Sequence, residues 1–112
     1  MAFEARFVHG TPLMVDHTPG SAVPAGTVVV TGDTPRIAHL DIPANTLGAL
    51  AAAGGVYEVA GDAAIAADKK VYWNNSANKV TETASGNKAL GYTVTACAAD
   101  GGLCLVRHDP AA

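Results

Sequence analysis

Residues 91–108, GYTVTACAADGGLCLVRH, contain the clearest fold signal in the chain. Two alternating runs flank Asp100-Gly101, and this dipeptide favours a two-residue hairpin turn, which needs positive φ at both central positions. The turn pairs Ala98 with Leu103. Successive residues of a strand point to opposite sides, so the hairpin has two faces. The core face is predicted to contain Leu90, Tyr92, Val94, Ala96, Leu103 and Leu105. The semi-polar face is predicted to contain Thr93, Thr95, Val106 and His108.

The same register sets the two cysteines, Cys97 and Cys104, directly opposite each other, which would allow a disulfide. In a two-residue hairpin this pair occupies a hydrogen-bonded site, where the Cα atoms are about 5.5 Å apart and the side chains diverge. Thiols in a cytoplasm are also kept reduced. The sequence therefore favours two reduced, packed thiols over a disulfide.

Short segments rich in Val, Thr and Tyr alternate with turn signals along the rest of the chain. Residues 27–31 (TVVVT) and 36–42 (RIAHLDI) look like a second hairpin. This spacing predicts an all-β fold, a small barrel or sandwich of short antiparallel hairpins. The competing helix signal lies at residues 45–53 (NTLGALAAA), with a weaker one at 63–67. Gly48 interrupts the first, so we expect at most one or two short helical turns.

Pro12 and Pro19 interrupt the first part of the chain, and proline is tolerated only at strand edges or turns. We therefore expect residues 1–20 to form an extended N-terminal arm and residues 21–112 to form a single β domain. A chain of 112 residues has the size of one domain. Its apolar content includes 23 alanines, while Leu, Ile, Val and Phe together number only 24. Alanine buries little apolar surface, so a homo-oligomer or a larger assembly is expected.

The net charge of −3, from 7 basic and 10 acidic residues, argues against a surface that neutralises many phosphates. Nucleic acid is therefore not an expected partner. No run of 18 apolar residues occurs, so a membrane is not expected either. Glu4 and Arg6 stand where a signal peptide needs its hydrophobic region, which predicts a protein made and kept in a cytoplasm.

No residue pattern indicates catalysis, a cofactor or a metal. The serines lack the G-x-S-x-G context of a nucleophile, and Lys88 in SGNKA lacks the other residues of a phosphate-binding loop. His39 and Asp41 share a strand face, but a metal would need further ligands from elsewhere. The sequence therefore predicts a protein that is not an enzyme, with no catalytic, cofactor-binding or metal-binding residue.

Two of the three tyrosines and the single tryptophan lie in residues 54–75, GGVYEVAGDAAIAADKKVYWNN. Exposed Tyr57, Tyr72 or Trp73 could stack on a glycan or bind a peptide. Strand alternation instead places Val71 and Trp73 on one face and Tyr72 on the other. We therefore predict that Trp73 is mostly buried.

Four segments together resemble a family of tailed-phage proteins, the capsid cement or head decoration proteins. They are ARFVHG (5–10), AVPAGTVVVTGD (22–33), GGVYEVAGDAAIAADKKVYWNNSANKVTETASGN (54–87) and ALGYTVTACAADGGLCLVRH (89–108). The chain differs where the family often has a glycine before the Val-Tyr-Trp strand, since Asp68-Lys69-Lys70 stands there. Some members are labelled recombinases, but the missing phosphate-binding loop argues against that activity here.

The resemblance implies a small β-barrel-like virion protein that binds the outer surface of an expanded phage head and reinforces it, often as a homotrimer. Its partners would then be the major capsid protein and copies of itself. Phe3, Arg6 and Phe7 of the arm are the candidate residues for contact with the capsid or a neighbouring copy. A frayed terminus is the alternative for the arm. The alternative function is a binding module of the phage particle that contacts a host glycan or protein.

Overall fold

The computed structural model describes residues 3–110, and within them the chain is all-β and has no helix. The ten strands are β1 (Ala5–His9), β2 (Leu13–His17), β3 (Val28–Thr31), β4 (Thr34–Ile37), β5 (Gly48–Ala53), β6 (Val56–Ala60), β7 (Lys70–Asn74), β8 (Lys79–Thr81), β9 (Lys88–Thr93) and β10 (Leu103–His108). They form two antiparallel sheets that do not close into a barrel but pack as a sandwich. The predicted all-β class is confirmed in its sandwich form.

The first sheet has six strands in the order β1-β6-β10-β9-β7-β8, and the second has four in the order β2-β5-β4-β3. The hairpin expected from residues 27–42 is confirmed as β3 and β4, with Thr31 paired to Thr34 across Gly32-Asp33. Residues 5–17, which lie in the predicted arm, form β1 and β2. Each of these two strands is an edge of a different sheet.

The main core lies between the sheets. Its largest fully buried side chains include Trp73, Tyr57, Leu90 and Ile37. Trp73 is 1% exposed, as predicted from strand alternation, and its Nε1 donates a hydrogen bond to Asn75 Oδ1 at 3.1 Å.

A smaller buried cluster covers the outer face of the four-stranded sheet and is formed by Ala38, Ile42 and Leu50. Leu50 and its neighbour Ala51 are both fully buried, so β5 is enclosed on both faces. The helix expectation for residues 45–53 is wrong over β5, because small side chains allow this strand to pack between two layers. A Cβ on Gly48 would lie only 2.7 Å from the Ile42 side chain.

The tight hairpin predicted for residues 91–108 is wrong in its register. Thr93 pairs with Val106, and the connection 94–102 leaves the ladder. A turn does occur at Asp100-Gly101, with Gly102 N donating to Ala99 O at 2.8 Å. Only Gly101 of the two central residues has positive φ, so the turn lacks the twist that continues a two-stranded ladder.

The predicted faces of this hairpin are also wrong in part, because β9 contains a bulge. Val71 pairs with Gly91 and Tyr72 with Ala89, which leaves Leu90 as the extra residue. Leu90 and Thr93 therefore both point into the core. On β10 the residues of the predicted semi-polar face, Val106 and His108, are buried, while Leu103 is 44% exposed.

Cys97 and Cys104 form a disulfide, so the prediction of two reduced thiols is wrong. The prediction assumed that both residues lie in one ladder. Cys97 instead forms an isolated bridge with Ile65, which brings its Cα within 4.9 Å of the Cα of Cys104. Both residues are buried beside Gly61, where a Cβ would lie 2.8 Å from Cys97 Sγ.

The segment before β7 keeps a turn conformation that glycine usually adopts. Asp68 has a φ of 61°, and aspartate tolerates the left-handed region better than most residues. Asp68 N donates to Thr93 O at 2.8 Å, which fixes the turn to β9. The departure from the family pattern at this position is therefore accommodated by the backbone.

Candidate functional site

Large exposed apolar side chains gather where the two N-terminal edge strands lie. We define the edge surface as four residues, Phe7, Met14, Leu40 and Leu47. Phe7 belongs to β1 and Met14 to β2, while Leu40 and Leu47 lie in the connection between β4 and β5. Leu40 is 75% exposed and Leu47 is 68% exposed. Val8 and Leu13, adjacent to two of these residues in the sequence, are also exposed.

The edge surface is continuous because His39 lies between Phe7 and the other three residues. The Phe7 and His39 ring centroids are 4.6 Å apart. His39 also lines a cavity of about 240 Å³ together with Met14, Leu40 and Leu47. Because exposed apolar patches on proteins often coincide with interaction sites, the edge surface is the candidate site.

The structure brings together the three interface residues predicted from the sequence. Phe3, Arg6 and Phe7 line one cavity of about 260 Å³, which also includes His39. The Arg6 guanidinium lies 5.5 Å from the Phe3 ring centroid. Its NH2 and Nε atoms donate to Glu58 Oε1 at 2.6 and 3.0 Å. Arg6 is thus held in a defined position while most of its side chain remains exposed.

Phe7 rests on a cluster of polar aromatic residues that extends into the core. His39 Nε2 lies 2.5 Å from Tyr57 Oη, and the Tyr57 ring meets the His108 ring edge-on at 5.7 Å. Burial lowers the pKa of His39 and raises the pKa of Tyr57 far above its usual range. The tyrosine therefore remains a neutral hydrogen-bonding group beneath the edge surface.

The residues considered for a metal site have other partners. His39 contacts Tyr57, and Asp41 Oδ1 accepts a hydrogen bond from Ala25 N at 2.7 Å. Among residues 3–110, no group of three or more His, Cys, Asp or Glu side chains is placed to hold a metal ion. No helix in that range is long and apolar enough to cross a membrane.

No sequence pattern singled out Met14, Leu40 and Leu47 of the edge surface. Leu40 lies in the segment expected to be a strand, and Leu47 lies in the segment expected to be helical. Alternation in RIAHLDI groups Leu40 with Ala38 and Ile42, which are buried, and so predicts the opposite of its observed exposure. Strand β4 ends at Ile37, so Leu40 lies beyond the ladder and points outward.

The edge surface offers apolar contacts and two strand edges, which suits assembly with another protein. Comparisons with curated proteins and with solved structures found no significant match. A family model described as phage cement protein matches residues 8–108, nearly the whole chain. The chain therefore belongs to the phage cement protein family, a family of structural proteins that stabilise the capsid.

Proposed function

We propose that this protein binds the outer surface of an expanded phage capsid and cements it. The contact would be made by the edge surface, which includes Phe7, together with Phe3 and Arg6. The observation on which the proposal rests is the family match over residues 8–108. The protein would be made in the cytoplasm of the bacterial host and would then become part of the virion surface. Its partner would be the major capsid protein.

The exposed apolar residues support a protein partner at this place. Leu40 and Leu47 together leave most of two leucine side chains in water. Covering a leucine stabilises a complex by roughly 1.5–3 kcal/mol if burial is complete. Strands β1 and β2 also have one unpaired edge each within residues 3–110, and such edges can accept a further strand.

The proposal includes a homo-oligomer, which we expect to be a trimer. The resemblance of the sequence to trimeric decoration proteins supports this state. The composition supports it as well, because 23 residues of the chain are alanine, which contributes little hydrophobic stabilisation to a monomer. A trimer would present three copies of the edge surface to the capsid at once, which increases avidity.

The alternative function, a module that binds a host glycan or protein through aromatic residues, has less support. Trp73 and Tyr57 are each 1% exposed, so neither can stack on a sugar. Tyr72 is partly exposed, but Lys70 Nζ lies 5.6 Å from its ring centroid.

Fluorescence quenching tests this alternative. Weak quenching of Trp73 fluorescence by a small polar quencher is the expected result. Strong quenching would favour the alternative.

Cosedimentation with capsids tests the proposal. The purified protein is mixed with expanded heads and with unexpanded heads of its phage, and its native mass is measured separately. We expect binding to expanded heads and the mass of an oligomer. A monomeric protein that remains in the supernatant with expanded heads would contradict the proposal.

A matched pair of variants tests the edge surface itself. Leu40→Ser with Leu47→Ser removes two of its apolar side chains, while Val94→Ser with Leu103→Ser removes two exposed apolar side chains elsewhere. We expect the first double variant to bind expanded heads at least about tenfold more weakly and the second to bind as the wild type does. Equal binding by both variants would place the contact outside the edge surface.

A further inference from the structure

His108 is a buried side chain that links the two sheets. It ends β10 of the six-stranded sheet and is 1% exposed. Its Nε2 lies 2.9 Å from the carbonyl oxygen of Pro35, in β4 of the other sheet. A carbonyl oxygen only accepts hydrogen bonds, so Nε2 donates in this bond. The inter-sheet hydrogen bond therefore fixes which nitrogen of the neutral ring has the proton.

The other ring nitrogen of His108 has no partner. Nδ1 is buried and has no hydrogen-bond partner among residues 3–110. In the neutral ring it is a bare acceptor, but in the imidazolium it would become a donor. Protonation would then place both a charge and an unpaired N–H in the core, and both are unfavourable. Burial accordingly lowers the pKa of His108 below its usual range.

The ionisable groups that face His108 do not remove this penalty. The hydrogen bond to Pro35 O and the charge of Asp109, which follows β10, favour the charged ring but do not outweigh burial. Asp109 Oδ2 also accepts a hydrogen bond from Arg107 Nη1 at 3.3 Å. His39, from the segment after β4, disfavours a second positive charge. Tyr57, from β6, is neutral. On β9 the residue opposite His108 is Gly91, which has no side chain.

The remaining charged groups of the neighbouring strands point away from His108. Arg36 follows Pro35 in β4 and therefore lies on the other side of that strand. Arg6 of β1 pairs with Glu58 of β6 on the face opposite Tyr57. No carboxylate from these strands is placed to accept a proton from Nδ1 of a charged His108.

His39 forms a second link between the sheets. It follows β4 and contacts Tyr57 Oη of β6, and Phe7 of the edge surface packs on its ring. A protonated His39 could still donate to Tyr57 Oη. It would, however, place a positive charge near His108. Protonation of His39 would therefore make protonation of His108 still less favourable.

We propose that His108, assisted by His39, is an acid-sensitive latch between the two sheets: the neutral ring joins them, and its protonation would bury a charge and an unpaired N–H and so destabilise the packing beneath Phe7. The latch is a property of the fold, whereas its effect on capsid binding rests on the proposed function. The unfolded chain binds protons to histidine near pH 6.5, but the folded chain resists doing so. Stability is therefore complete above about pH 6.5 and is lost as the pH falls through the lowered pKa of His108.

The test uses the free protein. The folding equilibrium constant of wild type, His108→Gln and His9→Gln is measured by denaturant unfolding from about pH 7.5 to 5. Glutamine can donate to Pro35 O but does not titrate, and His9 is an exposed control. We expect the constant for wild type and for His9→Gln to fall by up to about tenfold more per pH unit than that for His108→Gln. Equal pH slopes for all three proteins would overturn the latch.

NMR titration of the imidazole groups in the wild type gives a measurement that does not depend on folding of a variant. We expect the His108 ring to titrate below the ordinary histidine pKa of about 6.5. A His108 ring that titrates at or above that value would overturn the proposal. Capsid binding is measured in parallel at the same pH values. If the latch is observed but no capsid binding occurs at any pH, only the proposed function fails.

Discussion

Gly91 of β9 packs directly against the backbone of β10. A Cβ at this position would lie 1.8 Å from the backbone oxygen of Arg107 and 2.8 Å from Asp109 N. Backbone atoms cannot move aside without separating the strands. Leu90, the extra residue of the bulge, points into the core beside this contact. The absence of a side chain at residue 91 is therefore a condition for the observed register.

Gly91→Ala is expected to lower the free energy of unfolding by at least about 3 kcal/mol, because the new methyl group forces the two strands apart. Gly20→Ala is the control, since a Cβ there meets nothing within 4 Å. The control should change stability by no more than about 0.5 kcal/mol. Urea unfolding of both variants measures the difference. Similar midpoints for the two variants would show that the close approach at Gly91 is not required.

The connection 94–102 is held in place more by its disulfide than by pairing with a neighbouring strand. Thr95 and Leu105 are joined by a hydrogen bond from Leu105 N to Thr95 Oγ1 at 2.9 Å. Beyond this point the connection pairs only at the Ile65–Cys97 bridge until the turn at residues 99–102. The Cys97–Cys104 bond then closes the segment onto β10.

Replacing both cysteines by alanine is expected to lower the free energy of unfolding by about 2–3 kcal/mol, which is the loop entropy that a bond of this short span removes from the unfolded chain. Denaturant unfolding of wild type and Cys97→Ala/Cys104→Ala measures this loss. If the wild-type protein is unfolded, reduced and then refolded, its free energy of unfolding should be lowered by a similar amount. An unchanged midpoint in both cases would contradict a stabilising bond.

A single substitution in β1 separates the effect on capsid binding from the effect on stability better than a truncation does. Removing residues 1–8 would delete most of β1 as well as the candidate contacts, so a truncation cannot distinguish the two. Arg6 is a better target, because its ion pair with Glu58 is exposed and such pairs contribute about 0–1 kcal/mol. Its loss should leave the fold intact.

Arg6→Ala is therefore expected to change the free energy of unfolding by less than about 1 kcal/mol and to weaken binding to expanded heads. Lys88→Ala is the control, because Lys88 also forms an exposed ion pair, with Asp33, outside the edge surface. Binding isotherms on expanded heads compare the two variants. Identical binding by both would remove Arg6 from the interface.

The sequence correctly predicts an element when the structure that its local pattern favours also suits the surroundings of that element in the fold. Alternation in KVYWNN places Trp73 correctly because β7 is a regular strand with one buried face. Residues 45–53 fail this rule, since alanine and leucine favour a helix while β5 needs small side chains between two layers. The bulge at Leu90 and the bridge at Ile65 depend on contacts far apart in the chain. No local pattern could predict them.

The candidate site was predictable only in part for the same reason. Phe3, Arg6 and Phe7 are recognisable in the sequence as aromatic and basic residues near one end of the chain. Leu40 and Leu47 join Phe7 only because the connection between β4 and β5 crosses the sheet edge near His39. Their role depends on tertiary structure, so the sequence gives each of them only the appearance of an ordinary apolar residue.

In the molecule as a whole, two sheets bury a core that includes Trp73, Tyr57 and Leu90 and leave apolar side chains exposed at one edge. A protein that stabilises a capsid must bind the assembled shell more tightly than the separated capsid subunits, because only differential binding shifts an equilibrium. The edge surface on β1, β2 and the connection between β4 and β5 is where we place this binding.

The most direct test is the melting temperature of expanded heads, measured by calorimetry with and without saturating protein. We predict that wild-type protein and Val94→Ser/Leu103→Ser raise this temperature, while Leu40→Ser/Leu47→Ser raises it much less at the same concentration. Expanded heads that melt at the same temperature with and without the wild-type protein would show that it does not stabilise the capsid.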